Sequence, residues 1–175
     1  VLFRSKFVDD ESKTITDLVS DATVSIGEKI SIRRFARYEA QDGAVETYIH
    51  MGGKIGVLLQ VANDNAASLT ADELKTFYHD VALQIAAARP TYVRPEEVPA
   101  ETLENERKIL RAQAMEEGKP EDIANRMVEG RIKKYYKDVC LLEQPFVKDG
   151  DKSIKQVMAE TAKAIGANLD LVKFE

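Results

Sequence analysis

The alternation of apolar and polar positions is sharpest over residues 48–61, YIHMGGKIGVLLQV. Ile55, Val57, Leu59 and Val61 fall on one side of a period of two, and Gly56, Leu58 and Gln60 on the other. That pattern predicts a strand with one face fully buried, and Leu58 predicts partial cover on the second face. Gly52-Gly53 separates it from a second short run. Two glycines between alternating runs predict a tight antiparallel hairpin, with both glycines at positive φ. By the same alternation His50 shares a face with Tyr48, opposite to Ile49.

The remaining pattern is a mixture of periods. Ile15, Leu18, Val19, Ala22 and Ile26 recur at helical spacing, and Gly27 stands where a C-cap glycine belongs, so residues 14–27 read as a helix. Residues 30–38 read as a strand with no clean apolar face. Arg33, Arg34 and Arg37 suit an edge there, since charged side chains solvate and protect a sheet edge. A turn at Asp42-Gly43 leads to a strand over 45–51, so 30–38, 45–51 and 55–61 are expected to form a three-stranded antiparallel meander. Thr70 with Glu73 has the form of a capping box opening a helix over 71–88. Its buried stripe is Leu74, Phe77, Val81, Ile85 and Ala88, and Pro90 forbids continuation.

From Val98-Pro99 the character changes. A charged helix with a thin stripe (Leu103, Leu110, Ala114) stops at Gly118, and Pro120 opens a second, carrying Ile123, Met127, Val128 and Tyr135. So short a linker forces an antiparallel helical hairpin, each helix ~27 Å long at 1.5 Å per residue. Its charged faces read as solvated faces. Residues 141–147 then read as a short extended piece, 148–151 as a turn, and 153–165 as a helix with Ile154, Val157, Met158, Thr161 and Ile165 inward and Gly166 as C-cap. Residues 171–174 read as a last strand that adds to the same sheet. The predicted class is α+β: a small antiparallel sheet covered by helices, with an inserted antiparallel helical hairpin (a coiled-coil arm).

Composition narrows the classes. The 175 residues are 44% hydrophobic, enough for one real core. Net charge is -5 and no basic block dominates, which argues against nucleic acid as the main partner. The single cysteine, Cys140, excludes an internal disulfide and a cysteine-rich zinc site, and reads as a buried thiol. No run approaches the ~20 apolar residues of a membrane span. The start, VLFRSKFVDDESKT, turns acidic too early for a secretory signal and opens on Val rather than Met. Residues 1–13 therefore read as a poorly ordered or borrowed leader.

Chemistry-bearing motifs do not emerge. There is no HExxH, phosphate-binding loop, dinucleotide fingerprint or serine elbow. His79-Asp80 reads as a helix start, and nothing in the sequence brings His50, Asp80 and Ser68 together as a triad. No catalytic residue, metal ligand or cofactor site is expected. His50 beside the glycine turn is the sharper feature, either a half-exposed strand end or a contact residue on a protein-binding hairpin.

Several words of the sequence resemble translation elongation factor Ts: SIGEKISIRR (25–34), YIHMGGKIGVLL (48–59), IAAARPTYVRPEEVP (85–99), EEGKPEDIANRMVEGRIKKYYKDVCLLEQPFV (116–147) and the closing LVKFE (171–175). The match runs over roughly residues 14–175, in order and at matching spacing, and GKPEDIANRMVEGRIKKY is its most specific word. The resemblance implies a guanine nucleotide exchange factor that grips the GTPase elongation factor Tu and loosens its GDP, without covalent chemistry or a cofactor. It implies a cytoplasmic setting (an organelle if the source is eukaryotic), partner contacts from Tyr48, His50, Gly53, Lys54 and Gln84, and a homo-oligomer through the helical arm as a second association. No direct nucleic acid or membrane contact is implied. On this frame 14–29 is the helix remaining from a first core half, 30–97 with 138–175 the α+β core subdomain, and 98–137 the inserted hairpin.

Two departures qualify it. The stretch 82–88 resembles the family's AxHVAAxxP, but Gln84 stands where a histidine is usual. Family members also begin with a small three-helix domain and carry a Thr-Asp-Phe-Val loop whose aromatic residue wedges near the magnesium and phosphates, and neither is in this sequence. The expectation is a fragment or truncated form that binds Tu weakly and exchanges nucleotide poorly. The rivals are an interaction or dimerisation module without exchange activity, an RNA-associated protein using Arg33, Arg34, Arg37 and Tyr38, and an enzyme.

Overall fold

Residues 2–175 are described in the structure, a computed structural model. They divide into two units, one ending at Arg37 and the other running Tyr38–Glu175. In the first, helix α1 (Ile15–Ile26) starts at Thr14 with a reciprocal capping box: the Asp17 N–H donates to Thr14 Oγ1, and the Asp17 carboxylate accepts from the Thr14 N–H. The Thr14 N–H, and then the Thr14 hydroxyl, donate to the Asp17 carboxylate and hold it below the usual carboxylate range. Gly27, at φ +78°, closes the helix as expected. The leading residues are tied to it, with Ile15 N–H donating to Ser5 O at 3.0 Å. No described residue of this unit is buried.

The expected strand over 30–38 does not form, which corrects the meander. A strand exists by pairing and by burying a face, and this segment offers no clean face to bury. The sheet of the second unit instead runs β1 (Ala44–His50), β2 (Ile55–Asn63) and β5 (Leu169–Phe174), with β2 central and both neighbours antiparallel. Leu171 of β5 is fully buried opposite Val61, and this apolar side chain is what qualifies it as the third strand. Gly43, at φ +116°, lets the chain enter β1 against the backbone of Val61, where a Cβ would overlap the carbonyl oxygen.

Helix α2 (Asp72–Ala88) lies on the sheet face formed by Val57, Leu59 and Val61, and buries Leu74, Phe77, Val81 and Ile85 as the period required. Ala88, expected on that stripe, is exposed. The capping box at Thr70 is also corrected. Thr70 ends a short 3-10 helix, Ala71 is the N-cap without a side-chain bond, and Asp72 and Glu73 supply negative charge to the first turn. Helix α5 (Ile154–Ile165) packs beside α2, opens on a Ser153–Gln156 capping box and closes at Gly166. Burying Leu59, Leu74, Leu171 and Ile154 completely makes this the region where truncation to Ala costs about 2–5 kcal/mol each.

The inserted arm is α3 (Ala100–Glu116) and α4 (Glu121–Val139), antiparallel neighbours joined by residues 117–120. Its buried seam is Ala114, Ala124, Val128 and Ile132. Small side chains at Ala114 and Ala124 let the helices approach near the tip, which leaves the expected Ile123 outside and 44% exposed. Pro99 and Pro120 are N-caps rather than first-turn residues. Arg131 Nη2 to Glu117 at 3.0 Å and Arg107 Nε to Glu129 at 3.4 Å brace the two helices outside the seam. At the base, the N–H groups of Thr91 and Tyr92 both donate to Val139 O, at 2.8 and 3.0 Å. The piece after the arm is not simply extended. A 3-10 turn (Leu141–Glu143) leads into a small hairpin of β3 (Pro145–Phe146) and β4 (Asp149–Ser153), and the latter occupies most of the expected turn.

Candidate functional site

The end of the β1–β2 hairpin carries the candidate residues. His50 pairs with Ile55, Tyr48 with Val57 and Ile49 with Gly56, so the connection is Met51–Lys54, longer than the two-glycine turn expected. Gly52 and Gly53 do take positive φ, +65° and +93°. Met51 does as well, at φ +51°, and its side chain is 62% exposed. A methionine held in the left-handed region stores backbone strain that a glycine there would not.

Tyr48 and His50 project on the helix-covered face of the sheet, at the end the helix does not fully cover. The Tyr48 ring stacks on His50 with centroids 5.8 Å apart at 22°, and its hydroxyl lies 2.9 Å from His50 Nδ1. With the His50 proton on Nε2, the phenol donates to Nδ1. His79 of α2 meets the same ring edge-on, at 5.4 Å and 79°. Tyr48 packs partly against the core, while both imidazoles are exposed. The result is an aromatic patch with polar tips, rooted in the sheet. On the opposite sheet face Ile49 is 67% exposed, across from Gly56, which has no side chain to cover it.

The structure thus brings Tyr48, His50, Gly53 and Lys54 to one hairpin end. It adds His79, which the sequence reading passed over as part of a helix start. His79 lies in the middle of α2, two residues before buried Val81. The only signal for it was its position on the flank of the buried stripe, and β1 could not be placed beneath that flank without the tertiary fold.

Gln84 is elsewhere. It is 1% exposed, its Nε2 donates to Gln144 Oε1 at 3.1 Å and Pro145 O at 3.2 Å, and its Oε1 accepts from Val147 N–H at 2.8 Å. So enclosed, the side chain anchors the β3–β4 hairpin to α2. One turn earlier Asp80 receives Lys148 Nζ at 2.6 Å and fastens the same hairpin. Ser68 bonds Asn63 and Asn65, so His50, Asp80 and Ser68 do not converge. Among the described residues no group of three or more His, Cys, Asp or Glu is placed to hold a metal ion. No helix among them is long and apolar enough to cross a membrane. Cys140 is fully buried, and burial first, then Glu143 and Glu97, pushes its thiol up to about 11.

The pattern of the family described as Elongation factor TS matches residues 3–175. The chain belongs to the elongation factor Ts family. Relatives named Elongation factor Ts agree with this. The protein from Clostridium perfringens (strain SM101 / Type A) is 46% identical over 165 residues, covering 94% of this chain and 53% of that protein. That of Trichlorobacter lovleyi is 43% identical over 173 residues, 99% of this chain and 56% of the relative. That of Carboxydothermus hydrogenoformans is 50% identical over 135 residues, 77% of this chain and 62% of the relative. The chain spans about half the length of the curated relatives it matches. Within this Ts-family chain, the sheet, its covering helices and the arm all fall inside the matched residues.

Proposed function

We propose that this chain acts as an elongation factor Ts-like guanine nucleotide exchange factor that grips elongation factor Tu and favours release of its GDP. The observation that carries the reading is the Tyr48–His50–His79 patch, held on a sheet-anchored hairpin within a chain of this family. Aromatic rings with exposed polar tips and fixed rotamers bury contact area at small entropic cost, which suits a partner interface. Met51, Gly53 and Lys54 extend the patch around the strained loop. Exchange on this reading is differential binding: the factor holds nucleotide-free Tu more tightly than GDP-bound Tu, and the ratio of the two affinities is the coupling. Gln84 contributes by fixing the β3–β4 hairpin. The reaction needs no covalent step and no cofactor, and a cytoplasmic setting follows from the role in translation.

The test is release of a fluorescent GDP analogue from Tu with this chain added, beside binding of the chain to nucleotide-free Tu. The expected result is measurable binding and GDP release faster than from Tu alone. Absence of binding at tens of micromolar would overturn the reading. A dimerisation module is the second reading, favoured by Met115 and Ile123 near the arm tip, 50% and 44% exposed. Self-association abolished by polar substitutions at these two positions would support it.

A further inference from the structure

The arm leaves the core through a chain of amide hydrogen bonds. Val147 N–H donates to Gln84 Oε1, Gln84 Nε2 donates to Gln144 Oε1, and Gln144 Nε2 donates to Asp138 O, at 2.8, 3.1 and 3.0 Å. Every bond points the same way, from the β3–β4 hairpin through α2 to the last turn of α4, so each polarises the next. Asp138 O is one of the four terminal carbonyls that an α-helix cannot satisfy within itself. Gln84 and Gln144 are 1% and 3% exposed, and both amides are engaged at oxygen and nitrogen. Both line an open cleft of about 550 Å³ that is bordered also by Ala88, Lys137, Asp138, Pro145 and Phe146. Apolar side chains pack at the arm base as well, but on this side the directed contact to the α4 end is the bond from Gln144 Nε2 to Asp138 O.

From this geometry we infer that Gln84 and Gln144 are positioning residues that set the direction in which the helical arm projects from the core. Apolar contacts tolerate sliding, because dispersion is non-directional. Hydrogen bonds to a fixed carbonyl do not, because they weaken steeply off axis. The α4 terminus is also held by the Thr91 and Tyr92 bonds to Val139 O, which lie along the backbone next to the arm. Those bonds fix the position of the helix end. The glutamine chain, reaching Asp138 from α2, fixes its angle.

Spin labels at the arm tip and on α5 (Lys119→Cys with Lys155→Cys, both exposed sites) read this directly in the chain alone, and buried Cys140 stays unlabelled. The parent should give one narrow distance distribution. Gln84→Leu and Gln144→Leu should broaden it at least twofold while the protein still unfolds in one cooperative transition. Gln84→Glu keeps the shape. At pH 5, with the buried carboxyl neutral, it keeps an acceptor and a donor, and the narrow distribution should return; at pH 8 it should broaden. An unchanged distribution in a folded Gln84→Leu variant would overturn the inference. So would loss of folding in both leucine variants, which would assign the pair to core stability alone. Tu is absent from the measurement, so the outcome is separate from that of the exchange reading.

Discussion

Tyr48 and His79 meet edge to face at 5.4 Å, joining the first strand of the sheet to the middle of the helix that covers it. The contact makes the hairpin end and the flank of α2 one rigid surface. Side chains held in place by such contacts lose little ordering entropy if that surface docks on a partner.

Substitutions on this surface should separate binding from folding. His50→Ala removes an exposed ring and should leave the melting temperature within about 2 °C, since surface changes stay within ±0.5 kcal/mol. Affinity for nucleotide-free Tu should fall about 5- to 30-fold, equivalent to about 1–2 kcal/mol for a contact residue. Titration calorimetry beside thermal unfolding checks both halves. Unchanged affinity would remove His50 from the interface.

Gly43→Ala should act only on stability. Its φ is +116°, and the new methyl would overlap the Val61 carbonyl oxygen in the central strand. Backbone must move on one side, so a loss of about 3 kcal/mol is expected by urea denaturation. Gly27, also at positive φ but with open space around it, should tolerate Ala at about 1 kcal/mol.

The thiol of Cys140 should be silent in the native protein. Its pKa stands at about 11 against an ordinary value of 9.0, and the side chain is fully buried. Iodoacetamide at pH 8 should modify it only as fast as the protein opens. The raised value also signs a pH dependence. The contribution is fully present below about 9 and is lost as pH rises towards about 11, because the unfolded chain releases this proton first. Cys140→Ala should flatten that alkaline limb. Rapid native alkylation would contradict the burial.

On the acid side the Asp64–Asn168 clasp should contribute. The backbone N–H and side-chain amide of Asn168 both donate to the Asp64 carboxylate, and they hold its pKa below the usual range. A lowered folded pKa means stability that is present above the unfolded value near 4 and is lost as pH falls through the folded value. Asp64→Asn should therefore show a shallower loss of stability below pH ~4 than the parent. Equal acid limbs by circular dichroism would show the clasp to be energetically idle.

How far these features could be read from the residues varies with the distance over which they are decided. Gly27 and Gly166 were legible because a cap is made by residues three or four apart. The face assignment of Val57, Leu59 and Val61 was legible because alternation is fixed by the backbone itself. Thr70 misled because a capping pattern competes with the preceding turn, and here the 3-10 helix Ala66–Thr70 took the threonine.

The sequence by itself determined the helices, the central hairpin, the antiparallel arm and the family, since each rests on local period, local caps or contiguous words. The sequence already read 171–174 as a strand of this sheet; only the tertiary structure decided that it lies against β2 and that 30–38 adds no strand beside β1, because a strand needs a face to bury and 30–38 has none. It also decided that His79 belongs with Tyr48 and His50, and that Gln84 faces inward to the arm base. Those contacts join residues far apart in the chain, and no local rule relates such partners until the core has formed.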